Sequence, residues 1–284
     1  MINIPEYQQY NGEKCIALMD NSSLAFMDEL NKKSFSCDKV LEFYDLILIP
    51  GWVMEEVEDS KYRVAYVEKL RAEGYPVYSI DETKYSFLTG FEEINLYYIV
   101  SAVISKVPEL MRYIRQNVVK NDLLDLDSAE VWIKKFHDEW PILGNKLLTG
   151  RVKKKNAGEI SLAILAEIFS WYYCSVDTLT IFTQDADAYD FQMNGERKLK
   201  GNKNFTAVLK NPLSVGFKSN DFILSYMYRK GLLKIENIKQ LRCASRRLIY
   251  VKGKTDSSSV YCDEVVSSGK FVELIDDCSV QILF

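Results

Sequence analysis

The chain has 284 residues, 48% of them hydrophobic and 27% charged, with a formal net charge of -4. Length and composition suit a globular protein with a sizeable core, and the charge excludes a global basic attraction to nucleic acid, leaving only local patches for that role. A single histidine, His137, excludes two-histidine nuclease chemistry and His-rich zinc sites and argues against a Ser-His-Asp triad, while six scattered cysteines without a C-x-x-C read as reduced structural thiols.

The opening MINIPEYQQYNGEK has neither a basic n-region nor an apolar h-region, so no signal peptide is expected. Apolar stretches such as LYYIVSAVI are too short to span a bilayer, and the longest, near 160–174, is accompanied by Glu159 and Glu167. The expected setting is soluble and cytoplasmic, with no membrane contact.

In chain order, KCIALMD (14–20) reads as a strand ending in an acid, followed by helical spacing at Leu24, Met27 and Leu30. CDKVLEFY suggests a second helix. LILIP is a short buried strand closed by Pro50, and GWVMEEVEDS starts a helix at the Pro-Gly signal. YRVAYVEKLRAEG is an amphipathic helix with a Gly stop, and YPVYSI a third strand. Residues 81–150 show helical periodicity at 92–107, 109–119 and 127–139 with no buried strand between, which reads as a helical insertion. NAGEISLAILAEIFSWYYC is a long buried helix, TLTIFT the fourth strand and NDFILSYMYRKG a helix stopped by Gly231. Alternating strands and helices predict an α/β core with a mainly parallel sheet. Alternation in RRLIYVKG, SSVYCDEVV and CSVQILF predicts a small antiparallel addition. The expected division is residues 1–235 and a β-rich extension over 236–284.

Carboxylates are what the chain has in quantity. Ligands of open α/β sheets bind beyond the carboxyl ends of the strands. Asp20 ends the first strand; Asp185 and Asp187 follow the fourth. Glu56 lies in the helix after the second strand, and Glu159 opens the helix that leads to the fourth. Plainer readings exist for each. Asp20 could cap a helix, Asn156 and Glu159 have capping-box spacing, Asp187 and Asp190 could be solvated loop charges, and His137 could sit on a helix surface. Glu56 is harder to dismiss. At 100° per residue it falls between Trp52 and Val53 on an apolar arc completed by Met54 and Val57, while Glu55 points to water. An inward carboxylate needs compensation, by a metal ion or by a buried base. A calcium loop counted from Asp185 fails, because Tyr189 and Asp190 stand at its fifth and sixth positions.

With these residues the chain resembles the PIN-domain nucleases. ALMDNSSLAFM resembles their opening strand, LILIPGWVMEEV their second motif with its helical Glu, NAGEISLAILA their acid-bearing helix, and IFTQDADAYDF their strand-end T-x-D-x-D. VGFKSNDFILSYMYRKGLLK is similar to their closing strand and helix. The likeness covers roughly 13–80 and 151–235; the insertion and the tail depart from it. It implies a PIN-like, Rossmannoid three-layer fold and a nuclease dependent on Mg²⁺ or Mn²⁺ that cleaves RNA in preference to DNA. Asp20, Glu159 and Asp185 would be the principal ligands, with Glu56 and Asp187 as ligands or supports; Ser22 and Thr183 would orient waters or carboxylates by hydrogen bonds. The likeness also admits a toxin or phage-defence effector, an inhibitory or sensor partner protein and a homo-oligomer. Phosphate contacts are expected from Arg151, Lys153, Lys154 and Lys155 and from Arg197, Lys198, Lys200 and Lys203, because these runs neighbour motif acids; RCASRR reads as a solvated face. The competing function is a non-catalytic PIN-like scaffold for RNA or protein. A phosphoacceptor receiver domain ranks low, since LMDNSS offers one acid where that class needs two.

Overall fold

The computed structural model describes residues 4–119, 125–147, 150–253 and 259–284. Parts of the expected insertion (120–124 and 148–149), the first three residues of the chain and residues 254–258 of the tail, including the first residue of SSVYCDEVV, lie outside them.

Strands β1 (Cys15–Met19) and β2 (Leu46–Pro50) are apolar runs buried almost throughout, which is the pattern of parallel strands covered on both faces. With β3 (Val77–Ile80) they form one wing of a five-stranded parallel sheet. Helix α1 (Asn21–Lys32), the helices α2 (Gly51–Val57) and α3 (Lys61–Ala72), and a single 3-10 turn over Cys37–Leu41, where CDKVLEFY suggested a helix, make the connections. A second 3-10 turn (Glu82–Lys84) and helices α4 (Tyr85–Leu88), α5 (Glu93–Ile104), α6 (Pro108–Asn117) and α7 (Ala129–Asp138) follow. The insertion is not wholly helical. An antiparallel pair, β4 (Leu143–Lys146) and β5 (Val152–Lys154), crosses its expected end at 150.

Helix α8 (Ala157–Tyr172) is buried along its whole length and packs on β1, β2 and β6 (Thr178–Phe182). Then come α9 (Ala186–Lys200), β7 (Val215–Lys218) and α10 (Asn220–Arg229). The sheet order is β3-β2-β1-β6-β7, all parallel and flanked by helices, compatible with a three-layer Rossmann-like arrangement. The chain therefore leaves β1 toward β2 and β3, then returns to β1's other side with β6. The strand order reverses between β1 and β6, in register Met19 to Phe182.

The tail holds the antiparallel sheet β10-β8-β9, from β8 (Arg246–Gly253), β9 (Ser259–Val266) and β10 (Val280–Ile282). It also has two helices, α11 (Ile235–Leu241) and α12 (Ser268–Asp276). Helix α12 was legible in Ser267, which caps Lys270 N–H, and in the i, i+3, i+4 set Phe271, Leu274, Ile275. RCASRR is not a solvated face. Arg242 is fully buried against Asp221 of α10, Arg246 shares that carboxylate, and only Arg247 pairs outside, with Asp263.

Helix α9 replaces the loop expected after Asp185. Its inner side is polar, which hid it. Gln192 donates to Glu167, Asn194 donates to Ala102 O, and at Gly195 a Cβ would stand 2.9 Å from Val103 Cγ2 and 3.1 Å from Glu167 Oε1. Among the described residues no helix is long and apolar enough to cross a membrane, and all six cysteines are free.

Helix α2 lacks a side-chain cap of its own at Pro50. The fully buried Glu82 supplies one from across the fold: its Oε1 accepts from Trp52 N–H at 2.9 Å and from Ser161 Oγ at 2.5 Å. Gly51 makes room, since a Cβ there would lie 2.7 Å from Glu82 Oε2. Burial raises the Glu82 carboxyl from 4.5 to about 8, and raises Glu167 likewise to about 8. The folded chain then holds more protons than the unfolded one between about pH 4.5 and 8, so both groups contribute stability at low pH that is lost as pH rises through that window. Glu82→Gln, a neutral carboxyl mimic, is expected to flatten part of that decline, with the melting temperature above wild type at pH 8–9 and close to it near pH 4. Superimposable melting-temperature profiles over pH 4–9 would refute the protonated state.

Candidate active site

The strand order reverses between β1 and β6, the place where open α/β sheets bind ligands, and Asp20 and Asp185 follow these two strands. Asp20 follows β1 and caps α1. Its buried carboxylate accepts from Asn21 N–H at 2.8 Å, from the Ser22 hydroxyl and from Thr183 Oγ1 at 2.9 Å. Thr183 in turn accepts Asp185 N–H at 3.0 Å, and Ser22 Oγ accepts Gln184 N–H at 3.0 Å. Ser22 and Thr183 thus tie the ends of β1 and β6 together through the Asp20 carboxylate and the backbone at Gln184 and Asp185. The helix-cap reading of Asp20 also holds; the two roles share one side chain.

Glu159 sits in the first turn of α8. The capping box does not form: Asn156 lies in the left-handed region (φ 61°), which Asn tolerates, and makes no side-chain cap. Gly158 lets α8 approach α2, since a Cβ there would stand 3.3 Å from Val53 Cγ2 and 3.4 Å from Glu56 Oε1. Glu159 is 8% exposed and its Oε2 has no hydrogen-bond partner. Burial, then Asp20, raise its carboxyl to about 7; Lys153 works against them and Glu56 adds to them. Asp185 is exposed at the mouth. Its carboxyl is still raised, by desolvation first and then by Asp20, with Lys153 opposing and Asp187 adding.

Asp187 and Asp190 are not loop charges. Both lie on α9, exposed, Asp187 in its first turn, where an acid complements the helix dipole, and Asp190 paired with Lys106 at 2.9 Å.

Glu56 is buried on the predicted arc beside Trp52, Val53 and Val57; Met54 is only half-buried. Its compensation is a base. Lys153 Nζ lies 2.9 Å from Glu56 Oε2, with Asn21 Nδ2 3.3 Å from the same oxygen. Desolvation raises Glu56's carboxyl, against Lys153. Burial also disfavours the Lys153 ammonium, but Glu56, Glu159 and Asp20 outweigh it and its pKa is raised. Glu55 is not simply in water either. Half-exposed, it stands 3.7 Å from His137 Nδ1, and burial raises its carboxyl against Lys154 and Arg151.

His137 is not a surface residue. On α7 it continues the apolar arc of Trp132, Ile133 and Phe136, and its ring stacks on Trp52 at 4.8 Å and 3°. Burial, then Lys154, lower its pKa to about 4. Lys154 Nζ lies 2.9 Å from Nδ1; an ammonium can only donate, which places the neutral ring's proton on Nε2. Trp52, Glu55, His137 and the base run border a cleft of about 370 Å³ beside the acids.

The base runs are more committed than expected for phosphate contact. Lys153 and Lys154 are held by Glu56 and His137, and Arg151 donates to Glu55 O at 2.9 Å; Lys155 is exposed. The second run is at the wrong end of a helix. Arg197, Lys198 and Lys200 close α9, about 18–22 Å along its axis from Asp185 at 1.5 Å per residue. Arg197 donates to Asn194 Oδ1 and Lys200 pairs with Glu196.

A hard divalent ion fits the donor chemistry, which is all carboxylate oxygen with one orphaned buried atom and mutual repulsion. Among the described residues, however, no three Asp, Glu, His or Cys converge tightly enough to hold an ion as placed. One or two of these carboxylates with water would be the fitting shell, as Mg²⁺ commonly takes.

The chain matches no protein-family model, no curated protein and no solved structure. The likeness to PIN-domain nucleases rests on its motif residues and their placement alone.

Proposed function

We propose that the chain is a divalent-metal-dependent nuclease that hydrolyses phosphodiester bonds, in RNA rather than DNA, with a PIN-like fold. The observation that carries this reading is Glu159, buried in the first turn of α8 without a partner for Oε2, its carboxyl raised by burial and then by the charge of Asp20. One or two of Asp20, Glu159 and Asp185, with water completing the shell, would hold Mg²⁺ or Mn²⁺, which would supply an activated water and charge neutralisation at the phosphoryl group. Thr183 and Ser22 fix Asp20; Thr183 also fixes the backbone of Asp185, so the two carboxylates keep their separation as substrate enters. Trp52 and His137 wall the adjoining cleft with apolar ring surface, and Arg151, Lys153 and Lys154 bring positive charge to its lining.

The scaffold reading is favoured by one observation: Glu56 is already neutralised by Lys153, so part of the acid cluster is stable without a metal. Incubating the chain with a generic single-stranded RNA in Mg²⁺ or Mn²⁺ separates the two. Cleavage is expected, and Asp185→Asn, which keeps shape and removes charge at an exposed site, is expected to abolish it with the melting temperature unchanged within about 1 °C. A folded wild type that binds neither ion and leaves the RNA intact would support the scaffold instead.

A further inference from the structure

The sheet and its helices bring the acids together, and the β4–β5 hairpin brings a cation to them. Along β5 successive side chains alternate, so Lys153 leaves on the side opposite Val152 and Lys154. The strand is pinned around it. Arg151 holds Glu55 O, Lys154 holds His137 Nδ1, and Lys155 O accepts Trp140 Nε1–H at 3.2 Å. Lys153 Nζ is thereby delivered to Glu56 Oε2 at 2.9 Å, where the side chains are 30% and 12% exposed.

The two buried glutamates of the site differ in one respect. Glu56 Oε2 accepts from both Lys153 and Asn21, so its charge is met inside the protein. Glu159, nine-tenths buried, has an oxygen that nothing meets. A dication brought to Glu56 would meet the Lys153 ammonium at close range and compete with it for one carboxylate. At Glu159 it would meet an oxygen that no group bonds, with Asp20 and Asp185 adding their charge; Lys153 acts there through its field but forms its ion pair with Glu56.

We propose that Lys153 is the resident second cation of this site: it takes up Glu56, and the acid cluster accepts one divalent ion, on the side of Asp20, Glu159 and Asp185. The proposal rests on the metal-dependent reading above and deepens it. It gives the hairpin at the end of the insertion a role in the site. A fixed ammonium in a half-buried crevice is a preorganised donor for a phosphoryl oxygen, of the kind that stabilises charge developing during phosphoryl transfer.

The test is titration of the metal-stripped full-length chain with Mn²⁺ alone, by calorimetry at fixed ionic strength, on wild type, Lys153→Met and the double variant Glu56→Gln/Lys153→Met. Wild type is expected to bind one ion. Lys153→Met, which bares Glu56, is expected to bind two. The double variant replaces the pair with neutral groups and is expected to bind one, with wild-type affinity. Two ions on wild type, or one on both wild type and Lys153→Met, would overturn the proposal and leave the metal-dependent reading standing. No binding to wild type would remove that reading and the proposal with it. Should Lys153→Met not fold, the double variant decides: undiminished binding of one ion supports Lys153 as Glu56's cation, and weakened binding shows Glu56 to be a metal ligand and overturns it.

Discussion

Lys153→Met is expected to cost the metal-free protein about 3 kcal/mol, near the lower end of the range for breaking a buried ion pair. Glu56→Gln is expected to cost only about 1 kcal/mol, the net worth of a hydrogen bond. The asymmetry comes from the surroundings. Without Lys153, Glu56 is a buried carboxylate repelled by Asp20 and short of its main partner. Without Glu56's charge, Lys153 keeps the attraction of Glu159 and Asp20 and can still donate to the Gln oxygen. Glu55→Gln, half-exposed, should stay within about 0.5 kcal/mol. For a chain of this size 3 kcal/mol is about 5 °C in melting temperature, so thermal scans in chelator resolve the order Lys153 > Glu56 > Glu55. Equal shifts for Lys153→Met and Glu56→Gln would mean that the acids around this pair do not act on it.

The second large effect lies at the joint with the C-terminal extension. Asp221, 1% exposed, accepts from Arg242 Nε at 2.9 Å and from Arg246 Nε at 3.0 Å. Arg242 also donates to Val266 O at 2.9 Å and lies 4.6 Å from the Phe271 ring centre, so one buried guanidinium links α10, β9 and α12. Asp221→Asn leaves two guanidinium groups facing a neutral amide, one of them wholly buried. The expected loss is about 3–5 kcal/mol, or roughly 5–8 °C. Arg242→Met should cost less, because Asp221 keeps Arg246. Replacing both charges, as Asp221→Leu/Arg242→Met, should recover part of the loss. A double-mutant cycle by urea denaturation checks this; strict additivity would show that the two residues do not act as a pair.

Legibility in the sequence followed the range of the interaction. The core strands could be read because a strand buried on both faces leaves an unbroken apolar run, as in LILIP, and α8 because its length and composition admit little else. Asp20, Glu159 and Asp185 could be found because each stands at the end or start of such an element. Glu56's inward direction could be read from helical register, and so could His137's, had Trp132, Ile133 and Phe136 been extended by one position. What compensates Glu56 could not be read. Lys153 lies 97 positions away in a run of three lysines, and nothing local distinguishes it from Lys154 or Lys155. Glu82 was hidden for the same reason, as a cap supplied to α2 from another element. Helix α9 was missed because it buries amides and a glycine where a pattern search looks for Leu and Val.

The strand order has a consequence for how the chain is made. β1 is central, yet its partner β6 ends at Phe182, long after β2 ends at Pro50. At 5–20 residues per second, the intervening 132 residues (182 minus 50) take roughly 7–26 s to synthesise. Throughout that interval β6 is missing, so at least one edge of β1 is bare, a template for wrong pairing. The whole insertion emerges in the same interval, and its helices, built from local contacts, can form before the sheet closes. Ribosome-bound chains stalled after Ile80 should therefore remain sensitive to protease at β1, and protection should appear only once β6 has cleared the ribosome. Protection of β1 in the shorter chains would show that the β1–β2–β3 half folds alone.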